Sequence, residues 1–145
     1  MELGLKSKVA LVAASSRGLG KAVATALARE GALTVITARG ETALQATAAE
    51  IRRLTGNPVL AVPADLSVAA QVDALMERVL QEFGHVDILV NNAGGPRAGG
   101  FMDMSDEDWM HAVNLNLMSA IRLIRHVLPG MQARHWGRII NITSM

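Results

Sequence analysis

The sequence has 145 residues, half of them apolar and 19% charged, with a formal net charge of +1. That is enough chain for one compact domain, residues 1–145, with its own core. The near-neutral balance excludes bulk electrostatic attraction to nucleic acid or a membrane surface, and the lack of cysteine excludes disulfides and thiol chemistry.

The start of the chain has no long apolar core behind a basic head, so no signal peptide is expected, and no run approaches transmembrane length. A cytoplasmic protein is expected, in keeping with the missing cysteines. Residues 8–13 read as a buried strand. Residues 18–30 are helical by pattern, with Leu19, Val23 and Leu27 four apart and Gly31 at the stop. Residues 33–37 form a second strand. Residues 41–54 form an alanine-rich helix with Leu44, Ala48 and Ile51 on one face, ended by Gly56. Residues 58–62 form a third strand. Ser67 is placed to cap the next helix, whose core stripe is Val68, Val72, Leu75, Met76, Val79 and Phe83, with Gly84 as its stop. Residues 86–90 form a fourth strand, followed by a loop over 91–104 rich in glycine, asparagine and proline.

Ser105 and Asp108 make a capping-box pattern at the start of a long helix over 105–128. Its Trp109, Val113, Leu117, Ile121, Ile124 and Leu128 are expected to face a core, and Pro129 to end or kink it. Residues 137–142 form a fifth strand. The alternation of strands and helices predicts repeated βαβ units and a parallel sheet. In such sheets ligands bind beyond the carboxyl ends of the strands, where strand order reverses.

The residues just after each strand are therefore the candidates. After strand one, Ala14, Ser15, Ser16, Arg17, Gly18, Leu19 and Gly20 form a small-residue turn into a helix start. Two readings stand: a phosphate loop, with glycines admitting an anion to the free N–H groups, or a turn that needs glycine only for packing. The full Gly-x-Gly-x-x-Gly fingerprint is absent. After strand two comes Arg39, with no acid until Glu41. An acid there would accept from a ribose 2′-OH, whereas Arg39 and Arg17 suit a 2′-phosphate, which favours NADP(H) over NAD. After strand three, Asp65 can accept from an exocyclic amine such as that of adenine with Leu66 on the ring, or can serve the following helix start locally. After strand four, Asn92, Ala93 and Gly94 belong to a tight polar turn whose amides can bond backbone or a ribose. Asn116 lies between Val113 and Leu117, a position predicted to face inward and to need a buried partner. Ser144 puts a hydroxyl at the end of strand five. The four histidines show no metal-type pairing and read as surface or packing residues, so no metal site is expected.

Together these residues resemble the short-chain dehydrogenase/reductase family, closest in flavour to its 3-oxoacyl-acyl-carrier-protein reductase type. The carriers are the turn over 14–20, the Asp65-Leu66 pair, Asn-Asn-Ala-Gly at 91–94, Trp109, Asn116 and the strand that runs to Ser144. The resemblance implies an α/β fold, a Rossmann-like doubly wound parallel sheet of order 3-2-1-4-5, truncated after the fifth strand. It implies an NADP(H)-dependent oxidoreductase that reduces a small-molecule carbonyl, 3-oxoacyl-like or another ketone. It makes Asp65 an adenine contact and Asn92 a ribose-side and turn-stabilising residue. Asn116 becomes a member of the proton-relay water chain, and Ser144 the hydroxyl on the substrate carbonyl.

Two departures from the family pattern stand out. Ala13-Ala14 replaces Thr-Gly, costly if Ala14 needs positive φ and harmless if the turn keeps φ negative. The family's Tyr-x-x-x-Lys pair is missing, since the sequence contains no tyrosine. The 145 residues are thus expected to be an N-terminal portion that binds NADP(H) weakly without useful turnover, or else a non-catalytic nucleotide-binding or interaction module. An open fifth strand and an uncovered long helix predict a homo-oligomer through 105–128. Arg97, Phe101, Met102 and Met104 suit an apolar or acyl substrate, or simply loop packing.

Overall fold

The computed structural model describes residues 2–95 and 97–143. Five short strands, β1 (Val9–Val12), β2 (Leu33–Ile36), β3 (Val59–Ala61), β4 (Ile88–Asn91) and β5 (Arg138–Asn141), form one sheet in the order β3-β2-β1-β4-β5. Every neighbouring pair is parallel, so the reversal of strand order lies between β1 and β4. This is the parallel sheet that the alternation of strands and helices predicts, in the Rossmann-like order that the family resemblance implies.

Burial on both faces explains why β1 and β4 read as unbroken apolar runs. Side chains alternate between faces, so each strand serves two cores. Leu11, Val35 and Leu89 pack on one face with Val72, Leu75, Met76 and Val79 of α3 (Ala69–Phe83) and Leu123, Val127 and Met131 of α5 (Ser119–Ala133). Ala10, Val12, Ile36, Ile88 and Val90 pack on the other face. They meet Ala24 and Ala28 of α1 (Gly18–Arg29) and Leu44, Ala48 and Ile51 of α2 (Glu41–Thr55). The fully buried alanines let α1 lie close against the sheet. Gly56 and Gly84 close α2 and α3 in the left-handed conformation, as expected.

At the amino end of the sheet Asp87 is a buried carboxylate with several partners. Its Oδ2 accepts the Val9 N–H at 2.9 Å and lies 3.1 Å from His85 Nε2, while Arg134 Nη2 stands 3.5 Å from Oδ1. Arg134 also donates to the Val86 carbonyl at 3.0 Å, which fastens the end of α5 to β4.

Three expectations are corrected. Ser67 does not cap α3. The cap position is Val68, extended and half-exposed rather than in the core, because the Ser67 hydroxyl donates instead to Asp65 Oδ1 at 2.6 Å.

The long helix is unbroken but changes register and runs on past residue 128 to Ala133. It runs as α4 (Asp106–Val113), a π-turn (Asn114–Met118) and α5. The Ser105–Asp108 capping box opens it as predicted, but Pro129 neither ends nor interrupts α5. Pro129 and Arg125, whose carbonyl loses an N–H partner, both lie on the exposed side, where the carbonyl is open to solvent rather than buried unpaired.

The inward face also differs. Ser119, Leu123, Val127 and Met131 are buried, whereas Trp109, Val113, Leu117 and Leu128 are exposed. The segment carries apolar residues on two faces, and packing against α3 and β4 selects the Leu123–Val127–Met131 one.

Candidate functional site

The site begins where β1 runs into α1. Ala13 N–H still bonds the Val90 carbonyl at 3.0 Å, and then the chain turns sharply at Ala14, whose φ is +47°. The alternative of a negative-φ turn is therefore wrong, and an alanine holds a conformation that favours glycine. Two features hold it there. Asn92 Nδ2 donates to the carbonyls of Ala13 at 3.4 Å and Ala14 at 3.3 Å. Gly20 lies against the same carbonyl: a Cβ on Gly20 would collide with the Ala14 oxygen and stand 2.8 Å from Ser15 Cα. Glycine is thus required at position 20 by close approach.

Ser15 is fully buried, and its side chain serves the fold. Its Oγ donates to the Val12 carbonyl at 2.6 Å and accepts the Thr37 N–H at 3.1 Å, which joins the turn to the end of β2. Thr47 of α2 donates to the Ser16 carbonyl at 2.7 Å, and Lys21 pairs with Glu50 at 2.7 Å. The turn is thereby fixed from three sides. Arg17, at the cap position of α1, makes no side-chain cap bond, so the first N–H groups of the helix are left for a ligand.

A cleft of about 580 Å³ opens beside this turn at the carboxyl end of the sheet. Ala14, Ser16, Arg17, Leu19, Arg39, Asp65, Leu66, Asn92, Ala93 and Gly94 all line it. Of the cofactor-binding candidates, Ser15, Gly18 and Gly20 do not, and the two glycines shape the turn through their backbone. Arg17 and Arg39 are exposed, and among the described residues neither is in an ion pair. Two uncompensated guanidiniums beside a helix N-terminus fit a doubly charged phosphate.

Asp65 performs the local role and leaves room for the other. Burial pushes its carboxyl up, but the Ser67 hydroxyl and N–H, with Arg39 and His111 nearby, together hold it below the usual carboxylate range. Among the described residues only Oδ1 is engaged, by Ser67 N–H at 2.9 Å and the hydroxyl at 2.6 Å, which leaves Oδ2 as an acceptor. Leu66 beside it is buried.

A second cleft, of about 760 Å³, shares Leu19 and residues 92–95 with the first and continues along Asn116, Leu117, Ile121, Ile142 and Thr143. Asn116 is corrected here: it is exposed, and its Nδ2 donates to the Ala112 carbonyl at 3.0 Å rather than to a buried partner. The π-turn lifts it out of the α-helical frame. Asn91 also lines this cleft, and its Nδ2 donates to Asn141 Oδ1 at 2.8 Å while its own Oδ1 is buried with no partner among the described residues. Ser144 lies outside the described residues.

Sequence reasoning missed His111 and Leu115, which line the first cleft. They are four apart across the α4–π-turn junction, so helical spacing places them on one face. That signal becomes visible only once another residue of that face is tied to the site.

The model for short chain dehydrogenase matches residues 8–145. An oxidoreductase of Bacillus subtilis is 41% identical over 145 residues, covering 99% of this chain and 54% of its own. A 3-oxoacyl-[acyl-carrier-protein] reductase of Vibrio cholerae is 40% identical over 143 residues, covering 99% and 57%. Among solved structures, L-sorbose reductase from Gluconobacter frateurii, complexed with NADPH and L-sorbose, superposes with a TM-score of 0.93 at 41% identity, over 97% of this chain and 54% of that one. The chain thus spans about half the length of the curated relatives it matches.

Proposed function

Since the chain belongs to the short-chain dehydrogenase family, we propose that its two clefts are the cofactor-binding part of an NADP(H)-dependent carbonyl reductase. The observation that carries this reading is the convergence of the Ala14–Gly20 turn, Arg17, Arg39, Asp65 and Asn92 on one cleft. In this reading the N–H groups at the start of α1 hold the pyrophosphate, and Arg17 and Arg39 grip the 2′-phosphate. Asp65 Oδ2 accepts from the adenine amine, and Leu66 packs on the ring. Asn92 keeps the turn in shape and approaches the ribose. The cofactor, when bound, supplies or accepts a hydride at a carbonyl or alcohol carbon. The co-structures of L-sorbose reductase with NADPH and of a metagenomic short-chain oxidoreductase with NADP, the latter 37% identical, support this choice of cofactor.

Beyond the first cleft, Ser144 orients the substrate carbonyl and Asn116 helps to hold the relay water. The substrate is a small ketone, 3-oxoacyl-like or otherwise. No tyrosine occurs among the 145 residues, so the family's proton donor is not among them and their own task is binding and orientation.

The test is fluorescence titration of the chain with NADPH and with NADH. NADPH should bind more tightly, and Arg39→Ala should lower NADPH affinity by about tenfold with little effect on NADH. Equal or tighter NADH binding, or an unchanged preference in Arg39→Ala, would refute the assignment.

A further inference from the structure

The π-turn is built from side chains. A π register leaves carbonyls without their i+4 N–H partners. Here Asn114 Nδ2 donates to Met110 O at 3.0 Å, Asn116 Nδ2 to Ala112 O at 3.0 Å, and Ser119 Oγ to Leu115 O at 2.5 Å. Three carbonyls on this stretch are thus met by a side chain four residues on, and that of Leu115 needs it, because the Ser119 N–H bonds the Asn114 carbonyl instead. With its amide N–H committed to Met110, Asn114 keeps Oδ1 free to accept. Arg122 Nη2 donates to it at 3.2 Å. The other arm of the same guanidinium, Nη1, reaches the Ser67 carbonyl at 3.4 Å. Ser67 in turn holds Asp65 Oδ1 through its N–H and its hydroxyl.

We propose that Arg122, which lines neither cleft, is a positioning residue that ties the π-turn carrying Asn116 to the Asp65–Ser67 turn. The adenine end of the first cleft and the wall of the second are thereby set against one another by a single side chain. Arginine suits this task because its planar fork presents two donors at a fixed angle, whereas a lysine is a single point donor. The segment from Met110 through Asn114, Arg122 and Ser67 to Asp65 is bonded at every step. This inference rests on the cofactor reading for its functional meaning, but the tie itself does not depend on it.

The test uses the full chain with two readouts: amide hydrogen exchange, and calorimetric binding of adenosine 2′,5′-bisphosphate, the adenine half of the proposed cofactor. Arg122→Ala should speed exchange in 65–68 and in 114–119 together and weaken the bisphosphate by about fivefold. Asn114→Ala, which itself lines neither cleft, should weaken it to a similar extent, and the double variant should be no worse than either single one. Arg122→Lys should recover protection in only one of the two segments. Exchange changes confined to 114–119, additive losses, or unchanged affinity in Arg122→Ala would each overturn the proposal. If the unmodified chain binds neither NADPH nor the bisphosphate, the cofactor reading fails, and the paired exchange response still decides whether Arg122 makes the tie.

Discussion

At the scale of single residues, Ala14 carries the clearest cost. Its φ of +47° is one that L side chains adopt reluctantly, and the surrounding bonds from Asn92 and the press of Gly20 leave no relaxed alternative. Ala14→Gly should therefore raise stability by about 1 kcal/mol, the left-handed penalty removed less the entropy a glycine adds to the unfolded chain. Urea denaturation followed by circular dichroism checks this, and a destabilised glycine variant would mean that the turn is not strained. The identity of residue 14 was readable from sequence, whereas its sign of φ was not. That sign follows from where the β2 end and Asn92 lie, and both are distant in sequence.

At the scale of elements, the turn before α3 shows a local and a functional role sharing one carboxylate. Asp65 is held below the usual range in the folded protein, so the folded state favours its ionised form. Its contribution to stability is full above the unfolded value, roughly pH 4, and is lost as pH falls through the lower folded value. Asp65→Asn should flatten the stability profile below roughly pH 4 relative to the parent chain while leaving its slope above about pH 5 unchanged. Chemical denaturation at stepped pH measures this, and identical acid slopes in both proteins would show that the Ser67 bonds do not favour the ionised form. Ser67 looked like a helix cap because serine before an apolar run is the usual signal. The structure spends that hydroxyl on Asp65, a neighbour two residues back, and the helix starts without a side-chain cap.

At the scale of the whole molecule, the described surface carries an apolar face with no cover. Trp109, Met110, Val113 and Leu117 on α4 and the π-turn are all at least 40% exposed. Phe101 packs against Trp109 in a tilted arrangement, with ring centroids 5.6 Å apart and planes at 58°, and extends the same face. A contiguous apolar patch of this kind marks an association surface. We therefore expect the chain to self-associate through this helix in sedimentation experiments at micromolar concentration, and Leu117→Glu to shift it toward monomer. A parent chain that sediments as a monomer throughout would sink that expectation.

The sequence alone determined the order of strands and helices, because each strand is a short apolar run and the first three helices each stop at or just before a glycine. It also determined which strand ends to inspect, since ligand position in a parallel sheet follows from topology. Tertiary structure decided what depends on neighbours far along the chain. It brought Ala14, Arg17, Arg39, Asp65 and Asn92 from four separate segments to one cleft, and it set Ala14 in the left-handed region. It chose the Leu123–Val127–Met131 face of α5 over the Leu117–Leu128 one and turned Asn116 outward on a π-turn. Local pattern marks that a helix is apolar on more than one side; only the sheet and helix it packs against settle which side is buried.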